Sequence, residues 1–536
     1  MLAEYTVPLT LPDGTFAGVA YASFGLERLT DYIKGLDLGE GGYAFLVSGG
    51  GSLACYPNRE QLTAQYTLQD LAAKLQDPGL TQISEWERSG TREPLPPLRI
   101  QDPMTQTPAV AACGRLPRAG WTLCAVMLPT GPPVEAAEGL ELVAATVTML
   151  TFLLAVLCDP NGGRIPGLAT FAGCLTLVYA GGIGVVWQQG AQSFAGTPMI
   201  FAESQIEKVK ERHQQKLQAV ERGGELITLP TGVLFTEVVP QGQLIDVSGL
   251  IWQVLPGGTV SADGTLPPWA GARIANSVDG SQEEVSRVRV DGDLDVVWRF
   301  TASVPDETDD DWYPISRRHV RIELVSPTYS EPVLLVPDIG GYDLIVPAAR
   351  PGISAGLDLK GWTLRRSGFW FKDRQWGADL GLGNSGLGGK MASLNFEAVF
   401  ELNLLNPLVT YLLPEAVLFV LMFALLLVTS TRPERASRFG QTASVAIATY
   451  GTLFFIAVLE HISLREALAA SHMVYFESFF IVTYLGLLAL TLTALVSAMD
   501  DSPWFVEYKD NLISQVVYWP LLTGSLLAIT LVVFYS

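Results

Sequence analysis

Residues 409–429 read VTYLLPEAVLFVLMFALLLVT, with Glu415 the one charge, and residues 430–460 continue STRPERASRFGQTASVAIATYGTLFFIAVLE. About 20 apolar residues rising ~1.5 Å each span a bilayer core. The turn that follows carries Arg432, Arg435 and Arg438 against Glu434. A basic excess in a short loop marks the cytoplasmic side, so the first helix runs inward. The second helix returns from Arg438 to Glu460, yet places Gln441, Thr442, Ser444, Thr449 and Thr452 at bilayer depth, a face that lipid does not favour. At helical spacing Gly440, Ser444, Ile447, Gly451, Phe454 and Val458 form one stripe, small and polar toward the cytoplasm and bulkier toward the outside. That is the pattern of a pore lining with an apolar gate. Two other readings stand beside it: Ser, Thr and Gly also let membrane helices pack closely, and a neighbouring stripe through Gln441, Ala448, Thr452 and Phe455 is nearly as regular.

The 536 residues leave room for about three domains. With 54 acidic against 34 basic residues the formal charge is −20, which argues against nucleic acid as a partner. Only 16% of residues are charged and the mean hydropathy is positive, which fits a membrane protein with sizeable water-facing parts. Cysteines stand at Cys55, Cys113, Cys124, Cys158 and Cys174, with no zinc spacing. Cys113 and Cys124 face each other across a hairpin turning at Arg118 and Ala119, either as a disulfide outside the cytoplasm or as two small buried residues. Met1 leads into strand-like sequence with no signal peptide, so export is expected either from the next membrane helix or from a helix upstream of Met1.

Residues 1–130 read as mixed α/β. Strands are expected at Tyr5 to Leu11, Gly18 to Ser23, Gly42 to Ser48, Leu53 to Tyr56, Ala109 to Cys113 and Trp121 to Met127, with helices at Leu26 to Leu36 and Leu68 to Leu75. Asp13-Gly14, the Gly18-Val19 strand, Gly42-Tyr43-Ala44-Phe45-Leu46-Val47, Tyr56-Pro57-Asn58 and Gly120-Trp121-Thr122-Leu123 together resemble an extracellular Cache (PAS-like) sensor module. The resemblance implies that the first twenty-odd residues correspond to the tail of the membrane-distal module of a double Cache domain. Tyr43, Tyr56 and Trp121 either line a small pocket or belong to the core.

Residues 140–187 read as a transmembrane hairpin of two further membrane helices, Leu140 to Cys158 and Ile165 to Val186, joined by a turn short enough to make a hairpin, so the flanking domains share one side. A charged helical linker at 200–222 carries a narrow apolar edge of Ile206, Val209, His213 and Leu217, either a coiled stalk or a surface helix. From 229 to 403 alternating strands at Gly232 to Val239, Leu244 to Val254, Leu294 to Val304, Val320 to Val325, Val333 to Val336, Leu359 to Arg366 and Leu394 to Glu401 argue an all-β, immunoglobulin-like sandwich.

The order Leu229-Pro230-Thr231-Gly232, Asp246-Val247-Ser248-Gly249-Leu250-Ile251-Trp252, Trp298-Arg299-Phe300, Trp312-Tyr313-Pro314 and Gly361-Trp362, leading into a first span with Pro414, resembles the bacterial pentameric ligand-gated ion channels, the Cys-loop superfamily without the Cys loop. The likeness covers 230–536. It implies a water-facing ligand-binding sandwich feeding a four-helix transmembrane channel domain at 406–536, whose third and fourth helices are Met473 to Val496 and Val516 to Tyr535. It also implies a coupling loop at Tyr313 and Pro314, with Ser316 where the family has an acidic residue, and aromatic ligand-binding candidates Trp298, Trp362, Phe369, Trp370 and Phe371.

The expected protein is thus a multidomain, multi-pass protein of the inner (plasma) membrane with its soluble domains periplasmic or extracellular and Ser536 outside. Its expected partners are copies of itself in a homopentamer, membrane lipid, an unidentified small-molecule ligand and a permeant ion. The rival reading is a non-conducting signalling receptor on the same fold. No catalytic constellation surrounds His213, His319, His461 or His472, and no cofactor or metal site is assigned. The acidic run Asp306 to Asp311 reads as a solvated loop rather than a calcium site.

Overall fold

The structure is a computed structural model that describes residues 2–12, 15–25, 29, 33, 36, 38, 41–57, 66–91, 94–105, 107–116, 120–128, 166–192, 198–218, 226–259, 265–290, 292–373, 391–429, 443–468, 472–499 and 511–535. The expected helix Leu140 to Cys158 with its hairpin turn, most of the helix Leu26 to Leu36, and the Arg-bearing turn with Gly440 lie outside the described residues.

Strands β1 (Leu2–Thr10) and β2 (Phe16–Gly25) pair into an antiparallel ribbon of their own. The N-terminal domain proper is an antiparallel sheet of β3 (Gly42–Val47), β4 (Leu53–Cys55), β5 (Leu95–Gln101), β6 (Pro108–Arg115) and β7 (Thr122–Met127), in the order β4-β3-β7-β6-β5. Cys113 and Cys124 occupy directly paired positions on β6 and β7 and are disulfide-bonded.

Helix α1 (Leu68–Leu75) starts from a capping box in which Thr67 and Asp70 satisfy each other's backbone N–H groups. Helix α2 (Pro78–Ser89) and strand β5 were not anticipated. Pro78-Gly79 reads as a turn, but Pro suits the first helical position, and Asp77 caps the Leu80 N–H at 2.7 Å. Gly79 is required there, since a Cβ would come within 2.3 Å of the Arg99 carbonyl. In β5, Pro96 and Pro97 sit on an edge strand with a register break between Leu95 and Leu98, where Pro is tolerated.

Two five-stranded sheets then pack face to face. One contains β8 (Ile227–Gln241), β9 (Leu244–Leu255), β11 (Asp279–Val290), β12 (Asp293–Pro305) and β15 (Val333–Pro337), ordered β11-β12-β9-β8-β15. The other runs β10 (Arg273–Ile274), β14 (Arg317–Val325), β17 (Ser393–Leu402), β16 (Trp362–Lys372), with β13 (Glu307–Asp309) also on β14. Strict alternation along β9 and β12 sends Ile245, Val247, Ile251, Val296, Phe300 and their neighbours into one core shared with Ile322, Phe369 and Phe396 of the opposite sheet. Strand β11 is exposed along its whole length. Its Glu, Ser and Arg residues give no core signal, which is why it was not expected.

The segment between β15 and β16 ties this sandwich to the N-terminal domain. Tyr342 hydroxyl donates to the Val233 carbonyl at 2.8 Å and accepts the Val233 N–H at 2.7 Å. Trp252 Nε1 donates to Asp338 at 2.8 Å. Gly352, at φ 69°, lies so close to Val233 and the Phe396 ring that a Cβ would meet them at 2.5 and 2.8 Å. Between these anchors, Val346 is buried in the apolar core of the N-terminal domain, with Leu344, Ala348 and Ala349 packed beside it.

Helix α4 (Glu203–Gln218) is a docked surface helix rather than a free stalk. Ile206 shares a small core with Leu334, Val336 and Ala392, and Leu217 packs on Met391. His213 is fully buried: it accepts the Ala392 N–H on Nε2 at 3.3 Å, leaving Nδ1 to face the Val209 carbonyl at 2.9 Å. Burial holds its pKa below the usual imidazole range, as that neutral tautomer requires.

Strand β17 ends at Leu402, and four helices long and apolar enough to cross a membrane follow, at Leu405–Val428, Ser444–Leu468, Glu477–Ser497 and Leu512–Phe534. Within the first, Leu408–Leu412 widens into a π turn just before α5 (Leu413–Val428). Pro414 explains it: its ring crowds the preceding turn and it offers no N–H. The others are α6 (Ala443–Leu468), α7 (Glu477–Ser497) and α8 (Leu512–Tyr535). An upstream helix, α3 (Pro166–Gln192), lies along α8, where Gly524 lets the Tyr179 ring approach and Gly182 does the same for Leu527.

Candidate functional site

Three places bear on function: the α6 face, the outer face of the β14-β17-β16 sheet, and the junction between sandwich and membrane helices. Along α6, Ala446, Tyr450, Leu453, Ala457 and Leu464 are buried against the other helices. Ser444 and Gly451 of the first stripe are exposed, Ile447 and Val458 are half-buried, and Phe454 is exposed with its ring 5.3 Å from Tyr484 of α7. Ala448, Thr452 and Phe455 of the neighbouring stripe are all exposed, and at 3.6 residues per turn they stand opposite the buried seam. The first stripe lies on the flank of the open face and the second at its centre.

Behind this helix, polar groups tie the bundle together. Glu415 is fully buried and accepts from the Thr483 hydroxyl. Glu477, also buried, accepts from Arg465 at 2.8 and 3.1 Å and from the Val474 N–H at 3.2 Å. The two carboxylates face the bundle interior and find partners there, while the Arg465 side chain reaches Glu477 from a half-exposed position.

The five aromatic candidates do not converge on one surface. Trp298 and Phe369 belong to the sandwich core, Phe369 with its ring 4.9 Å from Phe396, so they hold the fold rather than meet solvent. Phe371 packs against the same core, and Trp362 lies under the Arg318 guanidinium at 4.5 Å. Trp370 alone of the five lies on the outer sheet face, with Arg321 5.5 Å above its ring. Asn395 is its direct partner across the strands, and Glu397 follows two residues along β17. Trp370 Nε1, Asn395 Oδ1 and Glu397 Oε2 are buried without a hydrogen-bond partner among the described residues, while the other Glu397 oxygen meets His319 at 2.7 Å. One unpaired donor beside two unpaired acceptors suits a small molecule carrying groups of both kinds. Asn395 and Glu397 were missed in the sequence because they sit in a strand that otherwise reads as core.

At the junction, Tyr313 is buried, its bond to Pro314 is cis, and its ring packs against Tyr411 before α5 and Phe476 before α7. Burial raises its phenol pKa, with Tyr411 and Asp310 adding to the shift. Ser316 of this loop is buried, and the carboxylate that the loop presents to the helices is that of Asp311, which pairs with His472 while its carbonyl accepts the Tyr475 N–H at 2.9 Å. Trp312 packs on Phe534 near the end of α8 at 4.7 Å. The rest of the acidic run is divided among separate partners, Asp306 to Arg318 at 3.2 Å and Glu307 to Arg321.

Asp310 in this loop has its pKa raised, chiefly by burial, with the Ser316 hydroxyl and Arg318 opposing and Asp306 and Asp309 reinforcing. A raised carboxylate means that the folded state holds the proton more tightly than the unfolded chain. Its destabilising effect is therefore absent below the unfolded pKa and grows as pH rises through the folded one. Asp310→Asn is expected to flatten that part of the stability profile, leaving the loop equally protected from hydrogen exchange on the two sides of the window. Unchanged pH dependence in the variant would assign the profile to other groups.

No protein-family model matches the chain, and no curated protein matches it. Fold and site together define a multi-pass membrane protein by the length and composition of its helices, with a β-rich water-facing part set directly on the bundle.

Proposed function

We propose that the chain is one subunit of a homopentameric ligand-gated ion channel of the bacterial type, an immunoglobulin-like ligand-binding sandwich on a four-helix channel domain, carrying an additional Cache-like sensor at its N-terminus. The observation that carries this reading is the junction. The last strand runs straight into the first span, while the Tyr313-Pro314 loop sits on the residues that enter α5 and on the link from α6 to α7. A movement of the sandwich is thereby delivered to the start of α5 and to the segment that follows α6.

One subunit cannot enclose a pore with one helix, so copies of α6 meet around an axis in a closed ring. Ile447 and Phe454 with their copies form the apolar constriction that closes it by dewetting. The ligand is a small polar molecule read by Trp370, Asn395 and Glu397. The protein sits in the inner (plasma) membrane with its soluble domains outside.

Recording from purified protein in a planar bilayer tests this reading. Ile447→Thr makes the constriction wettable, and the channel is expected to leak without agonist. Leu453→Thr, on the buried seam, mainly weakens packing. A leak from Phe455→Thr instead sets the neighbouring stripe toward the pore. Silence from wild type and all three variants, with the oligomer intact by mass, removes conduction and leaves a signalling receptor.

A further inference from the structure

The upstream helix α3 ends at the same junction. Trp187 is buried there, lining a small apolar cleft with Tyr313, Pro314, Leu408, Leu412 and Phe476. Its Nε1–H donates to the Tyr475 hydroxyl at 3.0 Å, and that hydroxyl lies 2.7 Å from Thr530 Oγ1. Thr530 donates in turn to the Leu526 carbonyl at 2.7 Å, so the proton in the Tyr475–Thr530 bond belongs to Tyr475. The result is a one-way chain of buried hydrogen bonds from α3 through the start of α7 into α8. Tyr475 is also the residue whose backbone N–H is held by Asp311 of the sandwich loop. Input from α3 and input from the sandwich therefore meet on one residue.

Residues 199–201, next in the described chain, make the other interdomain contacts. Met199 lies against Gly368, the Ile200 N–H donates to the Phe369 carbonyl at 2.7 Å, and Phe201 packs on the core of the N-terminal domain. Helix α3 is thus held near its end by the junction and along its length by α8, and residues 199–201 contact both water-facing domains.

We infer that α3 is an input arm through which the N-terminal domain acts on the sandwich–membrane junction, with Trp187 as the positioning residue that sets Tyr475. The inference rests on the membrane reading of α3 but not on conduction.

Hydrogen exchange of the full chain in lipid nanodiscs tests it. Trp187→Phe keeps an aromatic ring and removes the donor, and loss of one such bond is expected to speed exchange at the Tyr475 amide about fivefold. Gly182→Val pushes α3 off Leu527 without touching the junction and is expected to do the same. Val346→Asp, which disturbs only the docking of the N-terminal domain, is expected to produce a smaller rise at the same amide. In all three, β17 amides keep wild-type protection, which separates positioning from general loss of structure. An unchanged Tyr475 amide in both α3 variants, or in Val346→Asp, overturns the inference. Because exchange is read without current, a failure here is distinct from a failure to conduct.

Discussion

Phe396→Ala is expected to lower the stability of the sandwich by about 3–5 kcal/mol, the range for truncating a buried aromatic. Its ring is fully buried between the sheets, edge-on to Phe235 at 4.8 Å and tilted against Phe369 at 4.9 Å. It also lies beneath Gly352, where the backbone approaches too closely for a side chain to be added as filler. The strands around it are tied by hydrogen bonds on both sides, so the cavity cannot collapse, which puts the loss at the upper end of the range. Denaturant titration read at the β17 and β8 amides measures it. A loss below about 1 kcal/mol would mean that the three rings do not form one packed unit.

Val346→Asp is expected to release the N-terminal domain from the sandwich. The side chain lies in the apolar core of the other domain, packed among Leu, Ile, Val and aromatic side chains that offer a carboxylate no partner. Burying it unpaired costs several kcal/mol, so the domains separate instead. Limited proteolysis then cuts between residues 338 and 354 while β8, β9 and β17 remain intact. Tyr342 and Trp252 keep their bonds to the sandwich side of the segment, so the variant undocks one domain without unfolding the other. Protease resistance equal to wild type would show that the contact at Val346 does not hold the domains together.

The helices after Leu402 were legible because apolar length is a local property, and so was the alternation along β9 and β12. The Cys113–Cys124 bridge was legible as one of two readings, since hairpin spacing brings the residues face to face but does not oxidise them. Strand β11 and helix α2 were not legible. The first has no buried face to mark it, and the second begins with a Pro-Gly pair that also spells a turn.

Sequence by itself determined which segments are apolar, which alternate, and where chains of Gly, Pro and Asp interrupt them, because these follow from local spacing and solvation. Tertiary structure alone decided which aromatics face solvent. Phe369 and Trp370 are neighbours in the chain, but the pleat sends one into the core and the other to the outer face beside Asn395 and Glu397. It alone decided that Asp311 pairs with His472, through a loop folded back on the residues before α7. And it alone brought Trp187 to Tyr475, across 288 positions of sequence, because a hydrogen bond depends on where two helices pack and not on how far apart their residues are written.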